Sequence, residues 1–441
     1  MLNAVNPSQD APMPTAGRTA PTGGGLQRTR PTSLGRLWVF RYREARAHAV
    51  IVATILWALA AVLVFTGSGY RSFTGRLKGT DFVHFYTLGH LALIGDSGRL
   101  YDPEGQHAVQ VNLVPESDPE WYFPVYPPQV ALVFAPLARW SYGTAAVLWG
   151  LVTITLYALV VWLAWRPSRT VLPDRWFVVA AAAAFAPFWN LVLHGQTTIV
   201  PLVAFCLGWL ALERRHRFLA GLAFGLLMIK PQYGIVLAGV VLARREWAML
   251  AGAVVSMSAQ VAAVSLLLDP SAVLAYAHVL PRVVEQAYAL EPKPYQMHSL
   301  RALTNLLPSS IGTWVWGIVS LGVIWQTVRV WRIGVPVVLQ LAALVLASVL
   351  VSPHATIYDA TLLVLPLLWV GGWIQATPER QAQMGRMFWP TVYWLCVALL
   401  MPTAMLFRVQ ASVLLMVFLL VQVTGHFNGS RPSRLALAND P

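Results

Sequence analysis

The chain has 441 residues, of which 57% are apolar and only 11% charged, where a soluble domain carries roughly 25% charged residues. With a mean hydropathy of +0.59, the net charge of +13 does not describe a soluble nucleic-acid binder. The arginines sit in short loops between apolar runs, where they orient membrane helices. Two cysteines, both inside apolar runs, exclude a secreted disulfide framework, and no zinc-ligand spacing is present.

In chain order, residues 1–44 open with Pro, Gly, Ser, Thr and Arg, a composition that cannot bury a core, and predict a disordered cytoplasmic tail. The first apolar run, near 48–66, is too long for a signal peptide, lacks a following cleavage signature, and is expected to stay as an anchor. Further runs follow near 143–165, 176–193, 197–212, 218–229, 232–243, 247–268, 311–328, 335–351, 359–374, 388–406 and 409–425. The fold class is therefore an all-α polytopic membrane protein with about 11–12 transmembrane helices and a large first outer loop, since roughly 20 helical residues cross a bilayer. The membrane domain is expected over 45–425 and a cytoplasmic C-terminal tail over 426–441.

The runs 218–229 and 232–243 are separated by Lys230-Pro231 and are short for a full crossing. Reading them as two half-depth helices with Lys230 at their tip keeps the charge bias consistent to the C-terminus. About two thirds of the 31 lysines and arginines then fall on the cytoplasmic side, with both termini inside. The opposite side collects the loop 67–142, the turn His194-Gly195-Gln196, the tip at Lys230, the loop 269–310 and Ser352-Pro353-His354.

Each candidate residue has an ordinary reading beside the functional one. Asp81 opens the amphipathic stretch DFVHFYTLGHLALI, expected to lie along the interface; it is either a mildly stabilising helix-terminal carboxylate or a base. Lys230 is either a snorkelling lysine or a cation for a lipid phosphate, because a charge at that depth is costly unless paired or hydrated. His354 either caps the helix beginning near Asp359 or serves the reaction. Gln196, in a tight turn, is weak evidence alone. Tyr126, with Trp121, Tyr122 and Phe123, forms either an interfacial belt or a platform for a sugar or lipid. His298 and Arg301, with Gln296 and Ser299, precede a crossing and could line a cavity. Glu116 and Asp118 are assigned to loop solvation.

Five segments, taken in order, carry a resemblance: GTDFVHFYTLGHLALIGDSGRLYD, YPPQVALVFAPLA, HGQTTIVPL, AGLAFGLLMIKPQ and SPHATIYDATLLVLP. Together they resemble the family 87 glycosyltransferases, integral-membrane enzymes of the GT-C class whose known members include polyprenol-phosphate-mannose-dependent mannosyltransferases. The resemblance runs from about residue 45 to about 425. It implies a GT-C-like bundle in the plasma membrane, with its active site facing outward. The expected partners are a polyprenyl-phosphate-linked sugar donor, a lipid or glycan acceptor and the membrane, with no nucleic acid, cofactor or metal. The family's catalytic aspartate would fall on Asp81, its histidine before a late helix on His354, and its GQ and KP positions on Gln196 and Lys230.

The residue types suit that chemistry. An alcohol attacking an anomeric carbon needs a base within hydrogen-bond reach, and a cation can stabilise the departing lipid phosphate. A single base with no second carboxylate nucleophile implies inversion. The rival reading, a transporter or flippase of a lipid-linked sugar, predicts internal repeats and helices broken near the midplane; no convincing repeat is found. A non-catalytic scaffold fits poorly with the deep lysine.

Overall fold

A computed structural model of the chain describes residues 42–286, 294–400 and 403–425. The tail expected over 1–44 lies outside the described residues except for its last three positions, and the tail expected over 426–441 lies outside them entirely. Where they are described, the apolar runs picked out above are mainly helical, and no strand forms among the described residues beyond two isolated bridges.

Among the described residues, five helices are long and apolar enough to cross a membrane. Four are α1 (Tyr42–Phe65), α2 (Tyr142–Trp165), α3 (Trp247–Leu267) and α4 (Ser309–Arg332); the fifth covers Ile357–Gln375. A bent pair, Arg175–Ala183 and Ala186–His194, turns by 53° where Pro187 enters the second helix and forms either a broken span or a re-entrant loop. Shorter apolar helices fill in between them, among them α5 (Ile199–Glu213), α6 (Arg217–Gly225), α7 (Val337–Val351) and α8 (Ala411–Gly425). The protein is thus an all-α, multi-pass membrane protein.

Burial separates the lipid-facing helices from the central ones. Only 6% of the apolar window of α1 is buried, and Trp314, Leu321 and Trp325 of α4 are exposed. By contrast, α7 is buried continuously from Leu341 to Val351, as expected of a helix apolar on every side and enclosed by neighbours. The span Ile357–Gln375 packs against it and is 72% buried.

Lipid tails supply no hydrophobic drive between helices, so close approach must come from small residues. The α6–α3 contact shows this. Gly221 and Gly225 on α6 face Gly252 and Ser256 on α3. A Cβ at Gly221 would strike the Met249 carbonyl, and one at Gly252 the Phe218 carbonyl. This crossing anchors the chain just before Lys230, where a 3-10 turn (Leu226–Ile229), Lys230 itself and a second turn (Pro231–Tyr233) break the path before the helix Gly234–Arg244. The two short runs are therefore separate helices meeting at Lys230.

The first large loop is a folded subdomain. Its main helix, α9 (Thr80–Leu93), is buried without interruption from Phe82 to Gly89. This corrects the expectation of an amphipathic helix on the interface: Phe82 and Phe85 pack on Phe134, and Tyr86 packs on Tyr142. Glu116 is also more than a solvated loop acid, since it accepts the Tyr70 backbone N–H at 3.4 Å.

Overpacking typically costs about 1–3 kcal/mol. Gly221→Leu should lower the unfolding temperature in detergent clearly, whereas Gly317→Leu, on α4 with open space around its Cβ position, should leave it unchanged. A thermal melt of the two purified variants against wild type checks this.

Candidate active site

Asp81 enters α9 from Gly79, whose left-handed φ of 67° suits glycine. The entry is held by two tyrosines. Tyr142 Oη donates to the carbonyls of Lys78 (2.6 Å) and Gly79 (2.9 Å), and Tyr122 Oη donates to the Thr80 carbonyl. Asp81 is thereby set in the first turn, where the helix N-terminus favours a carboxylate.

Across from it, the second half of the bent pair ends at Gly195, φ 66°. A side chain there would place Cβ 2.5 Å from Phe82 Cβ, so glycine lets this turn close on the residue next to Asp81. Trp149 Nε1 donates to the Gly195 carbonyl at 2.9 Å. The next residue, Gln196, is 3% exposed. Its Nε2 donates to Asp81 Oδ2 at 2.6 Å, and its Oε1 accepts from Tyr126 Oη at 3.2 Å. Because an ionised carboxylate can only accept, the pairing with Asp81 sets which way the amide points. Burial, then the charges of Asp81 and Asp359, push the Tyr126 phenol above its usual range, so it stays a neutral donor. Asp81 Oδ1 makes no hydrogen bond among the described residues.

Two residues beyond Gln196 a second network begins. Thr198 Oγ1 donates to Asp359 Oδ1 at 2.6 Å. Lys230 Nζ donates to the same carboxylate oxygen at 2.7 Å and to Thr198 Oγ1 at 2.8 Å. The side chains of Lys230 and Asp359 are 4% and 2% exposed. The other oxygen of Asp359 accepts from the Thr356 backbone N–H (3.0 Å) and hydroxyl (3.3 Å), closing a capping box on the turn Ile357–Leu363. Lys230 Nζ also stands 5.1 Å from the centre of the Tyr358 ring. An ammonium has three donors; two are spent inside the protein, leaving the third.

His354 lies between the two networks in electrostatic terms. Burial holds its imidazole below the usual range, with Asp359 and Asp81 opposing the shift and Lys230 adding to it. It is therefore neutral at pH 7. His298 is buried behind the same segment: its backbone N–H donates to the Ala355 carbonyl at 2.7 Å, its Nδ1 pairs with Ser412 Oγ at 2.7 Å, and its Nε2 lies 3.2 Å from Gln410 Nε2. Burial takes its pKa down to about 3. Arg301 stacks over Trp316 at 5.5 Å and takes no part in either network.

The structure thus joins Asp81, Gln196 and Tyr126 directly, holds Lys230 in the separate network of Thr198 and Asp359, sets His354 within electrostatic reach of Asp81, Asp359 and Lys230, uses His298 as a brace for residues 355–359, and leaves Arg301 apart. The aromatic cluster divides. Tyr122 and Tyr126 turn inward, while Trp121 remains 61% exposed and stacks on His107 at 3.7 Å. Sequence reasoning missed Thr198 and Asp359 as site residues. The signal for Asp359 was present, as it is the carboxylate that opens an apolar run and a deep lysine requires a counter-charge. It also missed His84, one turn beyond Asp81, stacked on Tyr122 and 3% exposed, whose Nε2 has no hydrogen-bond partner. Among the described residues no group of three His, Cys, Asp or Glu could hold a metal ion.

The fold is that of a multi-pass helical membrane protein, and it brings the half-buried carboxylate of Asp81 together with Gln196 and Tyr126. A model of glycosyltransferase family 87 matches residues 123–353, just over half the chain, and the protein belongs to that family. It is a membrane glycosyltransferase. The matched segment holds Tyr126, Gln196, Thr198 and Lys230, whereas Asp81, His354 and Asp359 lie outside it. No curated protein and no solved structure matches the chain.

Removing one member of a buried ion pair strands the other, at a cost of about 3–5 kcal/mol, whereas replacing both by apolar residues is often neutral. Lys230→Met should therefore unfold far more easily in dodecyl sulfate titrations than wild type, and Lys230→Met with Asp359→Leu should recover at least half of the loss.

Proposed function

We propose that the protein moves a hexosyl group from a polyprenyl-phosphate donor to a hydroxyl of a lipid or glycan acceptor. Transfer occurs at the outer face of the plasma membrane, with both termini cytoplasmic and Asp81 as the base. The observation that supports this most is the contrast between two carboxylates. Asp359 is buried and neutralised by Lys230. Asp81 is half-buried, is held on one oxygen by a neutral amide, and keeps the other oxygen open. Of the two, Asp81 is the one able to take a proton.

The acceptor O–H attacks the anomeric carbon from the face opposite the phosphate. Its proton passes to Asp81 Oδ1 as the new C–O bond forms, and the bond to the phosphate oxygen breaks with its electron pair. The products are an inverted glycoside and polyprenyl phosphate. A single displacement of this kind needs one base and no covalent intermediate. Gln196, braced by Tyr126, keeps Asp81 oriented. Lys230 offers its remaining N–H to the leaving phosphate, so the reading assigns that developing charge to a side chain rather than to a metal. His354, neutral between these charges, positions the acceptor. Mannose is the first donor sugar to test, because the resemblance extends to mannosyltransferases. The bias of arginines toward the opposite loops supports the outward orientation.

A positioned base contributes about 10²- to 10⁴-fold in rate. Asp81→Asn can still accept from Gln196 but cannot take the proton. Its transfer from a polyprenyl-phosphate hexose should fall at least 100-fold, with expression and thermal stability close to wild type. Retention of more than about a tenth of wild-type turnover, above the weak end of that contribution, would overturn the assignment.

A further inference from the structure

A cavity of about 440 Å³ lies away from the candidate active site. It lies between the end of α2 and the end of α5, lined by Leu163, Arg166, Arg169, Trp209, Glu213 and Arg214 among others. Two helices connect it to the site. The first residue of α2 is Tyr142, which braces the entry to Asp81, and its 24 residues span about 36 Å at 1.5 Å per residue. The first residue of α5 follows Thr198, and its last is Glu213. The cavity therefore sits at the opposite end of the bundle from Asp81.

Its charge is unmatched. The guanidinium groups of Arg166, Arg169 and Arg214 form no ion pair with any described carboxylate, and Arg166 rests over Trp162 at 5.5 Å. The one acid in the lining, Glu213, accepts from Trp209 Nε1 at 3.2 Å. Three cations against one carboxylate leave room for an anion. Trp162 and Trp165 stand at the same level, as indoles do at the headgroup depth of a bilayer. The turn Arg166–Ser168 is held in place because Ser168 docks where a side chain on Gly372 would stand. One side of the cavity is thus held in place, its three arginines remain exposed, and the volume falls within the range of small-molecule pockets.

We propose that this cavity binds the phosphate headgroup of an anionic phospholipid, in the leaflet opposite the one where transfer occurs. Arg166, Arg169 and Arg214 meet the phosphate, and Leu163 and Leu210 meet the start of the acyl chains. The headgroup site stands independently of the assignment of Asp81; only the leaflet named rests on that proposed function. Helix-orienting arginines need only their charge. A headgroup site also needs the cavity, and this separates the two explanations.

The full-length protein is purified in a neutral detergent and melted with added phosphatidylglycerol, with phosphatidylcholine, or with inorganic phosphate. A ligand that binds the folded state raises the melting temperature. Phosphatidylglycerol should raise it by several degrees and phosphatidylcholine should not. The shift should be lost in the triple variant Arg166→Gln, Arg169→Gln, Arg214→Gln. It should also be lost in Leu210→Trp, which fills the cavity, keeps every arginine and remains available if the triple variant fails to insert. Equal shifts from the two lipids, a full shift retained by Leu210→Trp, or the whole effect reproduced by inorganic phosphate would each overturn the headgroup assignment.

Discussion

A charge cannot remain unpaired in the apolar interior, and the arrangement around Lys230 follows from that constraint. Its ammonium is met by Asp359 and Thr198, residues brought by two other parts of the chain. The pair therefore joins the break between α6 and the following short helix, the start of α5, and the turn that opens the span Ile357–Gln375. His298, through the Ala355 carbonyl, and the Thr356 capping box hold that turn from behind. Three separated segments meet at one buried charge, and the turn carrying Gln196 is set only two residues from Thr198.

On the proposed mechanism, neutralising one carboxylate leaves the other for chemistry. With Asp359 spent on the lysine, Asp81 faces a polar but uncharged environment of Gln196 and Tyr126. Its position rests on glycine at Gly79 and Gly195, on tyrosine hydroxyls clamping the entry to α9, and on the aromatic packing of Phe82, Phe85 and Phe134. The large first loop is thus a rigid platform for one acidic side chain.

Much of this was legible in the sequence, and the gaps have physical causes. Long apolar runs become helices because no other structure satisfies the backbone in lipid. The break at Lys230-Pro231 followed from a proline beside a charge. Asp81, Gln196 and Tyr126 were each singled out, but their contact spans 115 and 70 residues of chain, and no local pattern reports such a distance. Asp359 and Thr198 were passed over because each looks like an ordinary helix-capping residue until the lysine is placed between them. The burial of α9 was misread because Asp81 and His84 lend a polar accent to a stretch whose histidine is itself enclosed.

The central claim is that Asp81 meets the attacking hydroxyl, and its most direct test is a structure of the protein with an inert polyprenyl-phosphate sugar analogue and an acceptor bound together. The account predicts the acceptor oxygen within about 2.6–3.2 Å of Asp81 Oδ1, on the face of the sugar opposite the phosphate, with the Asp81–Gln196 hydrogen bond intact. An acceptor oxygen bound far from Asp81, or contacted by a different base, would contradict it.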